Sequence, residues 1–290
     1  MESKNNDPRR TRESVWRGIS FAPILAVLFA LQLSAGVLVA PTSLVLSDHK
    51  RTGRLTVQNP GDKPQEVSID FYFGMPTSDS VGNVSVFLQD SAISDPRSAV
   101  DWVKAFPRKV VLAPNASQVI RFVAHPPKDL DDGEYWARVV VKSQEGKTEI
   151  PIASEDNKIT TKLNMIMQTA ISLKYRTGNL ISKLEVAGAR ATTIDSTVNV
   201  FVEMINRGNV SYIGILQCRL ADADGKVISR DQIDLAVYRE LSRNMKLPVT
   251  GNDFKKPFSV EISITNEGRT DIPVEDMVTG NSIVMTEPVQ

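Results

Sequence analysis

Lys158-Ile159-Thr160-Thr161-Lys162-Leu163-Asn164-Met165-Ile166-Met167-Gln168-Thr169-Ala170-Ile171-Ser172-Leu173-Lys174-Tyr175-Arg176 alternates with a period of two over its whole length. Ile159, Thr161, Leu163, Met165, Met167, Thr169, Ile171, Leu173 and Tyr175 share one parity, and the other parity is mostly charged or polar. Successive side chains of a strand point to opposite faces of a sheet, so this segment is predicted to lay one apolar face on a core and show the other to water. Strands usually run about five or six residues, whereas this one would reach roughly 50 Å. Part of its apolar face is therefore available to something other than its own core.

Working outward, strand signals recur at short intervals. Upstream they fall at Val39–Leu46, Gly53–Gln58, Gln65–Phe73, Trp102–Leu112, Gln118–Ala124 and Glu134–Lys142, separated by Pro, Asn and Asp-Gly turn residues and, from Gly74 to Asp101, by a looser Ser- and Asp-rich passage. Downstream they fall at Ser196–Ile205, Ile213–Asp222, Lys226–Ser229, Ile233–Arg239, Phe258–Asn266 and Ser282–Thr286, with Asp224-Gly225 as a hairpin turn. No long amphipathic helix intervenes. The predicted fold class is all-β, two immunoglobulin-like β-sandwich domains that meet near Gly178-Asn179. The expected boundaries are 37–177 and 178–290.

The chain opens with Lys4, Arg9, Arg10, Arg12 and Arg17, then an apolar run from Ile19 to Val39 interrupted by Ser20, Pro23, Gln32 and Ser34. This reads as an export signal over residues 1–36, with small residues Ser34, Ala35 and Gly36 suited to cleavage. An uncleaved inner-membrane anchor is the alternative, because the run approaches the ~20 residues that span a bilayer. The whole chain carries 34 basic and 34 acidic residues, and removing the five basic and three acidic ones of the first 36 leaves 29 and 31. No basic surplus exists to attract nucleic acid. A single cysteine, Cys218, excludes a disulfide within the chain and is read as a small buried hydrophobe.

Other candidate chemistry is weak. Asp129, Asp131, Asp132 and Gly133 have the composition of a calcium loop, but Lys128 and Leu130 fall at ligand positions and no closing Glu follows. His49 and His125 lack any paired metal spacing. No nucleophile elbow, phosphate loop or dinucleotide fingerprint is present. The expectation is a non-enzyme with no metal, no cofactor and no small-molecule substrate.

The run Gln168-Thr169-Ala170-Ile171-Ser172-Leu173-Lys174-Tyr175-Arg176 resembles the end of the seventh strand of the first domain in PapD-like periplasmic pilus chaperones. Pro107-Arg108-Lys109-Val110-Val111-Leu112-Ala113-Pro114, then Gln118 and Arg121, then Leu130, Gly133-Glu134-Tyr135, is similar to the fourth to sixth strands of that family. The resemblance covers most of Val37 to Thr177, and the second domain through architecture alone.

It implies a periplasmic chaperone that stabilises pilus-like subunits by donor-strand complementation, a named mode of strand addition, and delivers them to an outer-membrane usher. By position in the motif, Leu163, Met165 and Met167 are expected to enter the subunit groove, while Ile171, Leu173 and Tyr175 stay in the chain's own core. Unbranched methionines adapt well to irregular pockets. The resemblance also implies a salt-bridge network of Arg121, Glu134 and Arg176 that orients the two domains. Where the family carries a basic pair that grips the subunit's terminal carboxylate, this chain has Ser43 and Ser172, which offer hydroxyls without charge; Lys174, or Arg54, is the nearest substitute. The alternative function is an exported two-domain immunoglobulin-like structural or surface-fibre protein without chaperone activity. The chaperone reading requires Leu163 to Met167 on an exposed sheet edge, and the alternative requires them buried at home.

Overall fold

A computed structural model describes residues 36–89, 95–146, 165–251 and 253–290. The expected export signal but for Gly36, and with it Leu163 and the beginning of the alternating run, lie outside the described residues. Two pairs of sheets enclose two hydrophobic cores. The first pair consists of a four-stranded sheet, β1 (Leu38–Ala40), β3 (Thr52–Gln58), β8 (Ser117–Ala124) and β6 (Val103–Phe106), in that order. Facing it are β2 (Ser43–Ser47), β10 (Ile166–Thr177), β9 (Gly133–Glu145), β4 (Gln65–Ser78) and β5 (Val84–Gln89), with β7 (Lys109–Leu112) also paired to β4.

The second pair is β11 (Leu184–Ile194), β12 (Thr197–Asn206) and β15 (Glu240–Pro248) over β14 (Val227–Val237), β13 (Tyr212–Ala221), β16 (Ser259–Thr265) and β17 (Ile283–Pro288). The fold is thus nearly all β and carries two sandwiches, as the strand spacing predicts. Among the described residues the helical content is one 3-10 turn, Val274–Asp276, and no helix is long and apolar enough to cross a membrane.

Local chemistry explains where strands break. The apolar stretch Val39–Leu46 is two strands on opposite sheets: Pro41 has no backbone N–H to continue the β1–β3 ladder, and the chain crosses to pair in parallel with β10. Pro107 divides Trp102–Leu112 in the same way, leaving β6 on one sheet and β7 on the other. Three strands lie where the spacing reads as loop or linker. β5 falls in the loose Ser- and Asp-rich passage, and β11 and β15 carry little alternation because Arg190, Thr192, Arg243 and Asn244 mix with the apolar residues. The two segments Lys226–Ser229 and Ile233–Arg239 are joined in β14.

The first core is filled by Leu44, Leu46, Leu55, Ile69, Phe122 and Leu173, among others, with the Trp102 ring edge-on to Tyr175 at 5.0 Å. The second is built on Val198, Val200, Leu216, Leu220, Leu247 and Ile262, and Cys218 lies fully buried there. Burial, with a smaller contribution from Asp231, pushes the Cys218 thiol up to about 12, so it stays a neutral thiol at physiological pH.

Candidate functional site

Strand β10 is bordered by β9 along its whole length, from Ile166 opposite Gln144 to Thr177 opposite Gly133. Its other neighbour, β2, covers only Ser172 to Arg176. Among the described residues, Ile166 to Ile171 therefore have no strand on that side, and the pairing with β2 begins where the Ser172 N–H donates to the Thr42 carbonyl at 3.3 Å. Side chains change with the pairing. Met165, Ile166 and Met167 are 58%, 58% and 39% exposed, whereas Ile171, Leu173 and Tyr175 are at most 2% exposed. The Met167 thioether lies so close over Gly36, whose φ is +104°, that a Cβ there would collide with it. Among the described residues this strand is thus structural at its C-terminal end and apolar, paired on one side only and exposed at its N-terminal end. Such an edge is a template for pairing with another chain and an aggregation hazard if left uncovered.

The C-terminal end of the same strand leads into the seam between the sandwiches. Glu134, at the start of β9, is fully buried. Its Oε2 accepts from Arg176 Nε at 2.8 Å, and its Oε1 accepts from Trp136 Nε1 at 2.7 Å and from Ser211 Oγ at 2.6 Å. Lys174 Nζ lies 3.7 Å from the same Oε1 and donates to Ser211 Oγ at 2.6 Å. Arg176 Nη1 donates to the Asp276 carbonyl at 2.6 Å, and the Glu134 N–H donates to the Asn209 carbonyl at 2.9 Å. Ser211, Asn209 and Asp276 follow in the second sandwich, so the network ties the two halves together. Burial pushes the Glu134 carboxyl up, but the charges of Lys174 and Arg176 and the hydrogen bonds from Ser211 and Arg176 outweigh it and hold the group below the ordinary carboxylate range.

Of the three residues expected in that network, Glu134 and Arg176 meet and Arg121 does not join them. Ile120, Phe122 and Ala124 fill the inward parity of β8, which turns Arg121 outward, with Arg54 and Phe106 as its cross-strand partners. Among the described residues no ion pair involves Arg121. The inward apolar residues on either side of it are a signal readable in the sequence. Lys174, considered as a carboxylate anchor, is instead held by Glu134 and Ser211. Ser43 and Ser172 are direct cross-strand partners, and Ser172 Oγ lies 3.1 Å from the Tyr238 hydroxyl.

Tyr238, Ser211 and Arg138 were not marked by the sequence reasoning. The signal for Arg138 is a lone cation inside the apolar run Tyr135-Trp136-Ala137-Arg138-Val139-Val140-Val141. Among the described residues, no cluster of three or more His, Cys, Asp or Glu side chains could hold a metal.

No protein-family model matches the chain, and no curated protein sequence matches it. Solved structures do. Those similar to it in fold include several fimbrial chaperones. The class 5 fimbriae chaperone CfaA is 16% identical with a TM-score of 0.44, over 87% of this chain and 99% of that one. The YadV chaperone is 15% identical with a TM-score of 0.40, over 87% and 98%. A Salmonella enterica SafA pilin in complex with the SafB chaperone gives 15% identity and a TM-score of 0.39, over 87% and 96%. At such identities the functional reading rests on the chain's own strand edge and seam.

Proposed function

We propose that this chain is a periplasmic assembly chaperone without enzymatic activity, which caps pilus-like subunits by strand addition and hands them to an outer-membrane usher. In this reading residues 1–36 direct export, 37–177 form the capping domain and 178–290 the second immunoglobulin-like domain. The observation that carries it is the free edge at Ile166–Ile171, flanked by exposed Met165, Ile166 and Met167 on a strand that is otherwise a full member of the core sheet. A subunit lacking one strand would take backbone hydrogen bonds from that edge and receive Met165, Met167 and the preceding Leu163 in its groove. Flexible thioethers fit several grooves without a dedicated shape, which suits a chaperone with more than one client. The glutamate-centred network at the other end of the strand supplies a fixed geometry rather than net stability, since desolvating three ions offsets much of their attraction.

The test is co-expression of the mature chain with the pilus-like subunits encoded beside it, followed by isolation of a one-to-one complex. Met165→Asp is expected to lose that complex, because a carboxylate in an apolar groove costs far more than the exposed position it leaves. The variant should keep its own melting temperature, as Met165 is more than half exposed. A Met165→Asp protein that still captures its subunit contradicts the reading. So does one that unfolds.

A further inference from the structure

β4 is longer than the sheet it belongs to. Gln65 to Tyr72 pair with β9, ending at Tyr72 opposite Arg138, and from Phe73 to Ser78 the strand pairs with β5 instead. Among the described residues, the outer half of β4 and the whole of β5 thus form a two-stranded ribbon that continues past the rest of the first sandwich. Two strands alone are marginally stable and need a surface to pack on. The second sandwich presents one. Among the described residues β15 is bordered by β12 on one side only, so its other edge carries backbone groups that require cover.

The ribbon ends on that edge. The Ser242 N–H, on β15, donates to Ser78 Oγ at 2.8 Å, a hydrogen bond from one sandwich to the other. Gly82, at the tip of the ribbon, is buried against the next residues of β15: a Cβ there would lie 2.6 Å from the Asn244 nitrogen and 2.9 Å from the Arg243 carbonyl carbon. Its φ of +85° is a second reason for glycine at this position. Val84, where β5 begins, packs against the second hydrophobic core. The tip is shaped from within. Asp79 Oδ1 accepts from the N–H groups of Val81 and Asn83 at 3.0 and 2.9 Å, and its Oδ2 accepts from Asn83 Nδ2 at 2.9 Å. A turn that is already ordered loses little conformational freedom on docking.

We propose that the β4–β5 ribbon is a strut between the sandwiches, whose tip covers the edge of β15 and fixes the angle at which the second sandwich is held. The glutamate-centred network ties β9 and β10 to Ser211 and Asp276, whereas the ribbon ties β4 and β5 to β15. One attachment leaves a rotation about itself, and a second attachment on different strands removes it. The strut is a property of the free chain, so it is tested without any subunit and apart from the capping function.

Replacing Asp79–Asn83 by Asn-Gly trims the tip while keeping the Ser78–Val84 pair at the end of a two-residue hairpin. Spin labels on Val111→Cys and Val284→Cys, both exposed and one on each sandwich, report the separation, and buried Cys218 stays unlabelled. The mature protein is expected to give one narrow distance distribution. The trimmed protein should give one about twice as wide, because sandwiches joined by a small contact move relative to one another. Gly82→Val keeps the full length of the ribbon and drives its tip off β15, so the same broadening is expected without trimming. A distribution as narrow as that of wild type in both variants overturns the strut.

Ser78→Ala tests the cover on the edge by itself. It removes the acceptor of the Ser242 N–H, and that amide should exchange about tenfold faster, the equivalent of one hydrogen bond, while the Leu173 and Tyr175 amides keep their protection. Equal exchange at Ser242 in wild type and Ser78→Ala would mean that the ribbon does not cover β15.

Discussion

Glu134→Ala is expected to cost the protein about 3–5 kcal/mol, the usual penalty for removing one partner of a buried ion pair. The substitution leaves Lys174 and Arg176, both more than nine-tenths buried, without a counter-ion, and leaves Trp136 Nε1 and Ser211 without an acceptor. Urea unfolding of the mature protein reads the loss directly as a lower midpoint. The pH dependence carries a matching signature. The folded Glu134 carboxyl titrates below its ordinary range, so its contribution is complete above the unfolded-state value near 4.3 and is lost as pH falls through the folded value. Wild type should therefore lose stability in acid faster than Glu134→Ala does. Some acid sensitivity should persist in the variant, because hydrogen bonds from Thr177 and Tyr175 also hold the Asp48 carboxyl low. A variant with the wild-type midpoint would mean that the seam does not depend on this carboxylate.

The second large effect contrasts two residues of one parity on one strand. Leu173 is fully buried between the sheets of the first sandwich, and Leu173→Ala is expected to cost about 2–5 kcal/mol through lost apolar transfer and the cavity left behind. Met165, eight residues earlier on the same parity, is more than half exposed, and Met165→Ala should fall within about 0.5 kcal/mol of wild type. Thermal or urea unfolding of both variants checks the pair. Similar costs at the two positions would mean that the strand is packed uniformly and that its N-terminal half is not held for a partner.

The amphipathic character of this strand is legible in the sequence. Alternation from Ile159 to Tyr175 marks the apolar face, and its excess length points to a second use. Where it divides was less legible, because that is decided by β2, which reaches only as far as Ser172. A partner strand more than a hundred residues upstream leaves no trace in the local pattern. The same limit applies at the seam. Alternation identifies Lys174 and Arg176 as off the core face, and residues on that face are ordinarily solvated. Their burial comes from Ser211, Tyr238 and Asp276 of the second sandwich, which no spacing rule connects to them. Arg121 shows the converse: its motif position suggested the network, while its buried neighbours Ile120 and Phe122 fix it on the outer face of the opposite sheet. β11 and β15 escaped because polar residues sit among their apolar ones: Arg190 lies on β11 over the ring of its cross-strand partner Phe201, and Arg243 and Asn244 interrupt β15.

The central claim is that Ile166–Ile171 is an edge kept open for a subunit strand, and amide hydrogen exchange across β10 tests it most directly. In the free protein the Ser172–Arg176 amides should be strongly protected, and those of Ile166–Ile171 that do not bond to β9 should exchange fast. On formation of a one-to-one complex with a subunit, the fast set should become protected while Ser172–Arg176 remain as they were. An edge already protected in the free protein, or one that exchanges equally fast in a verified complex, would contradict it.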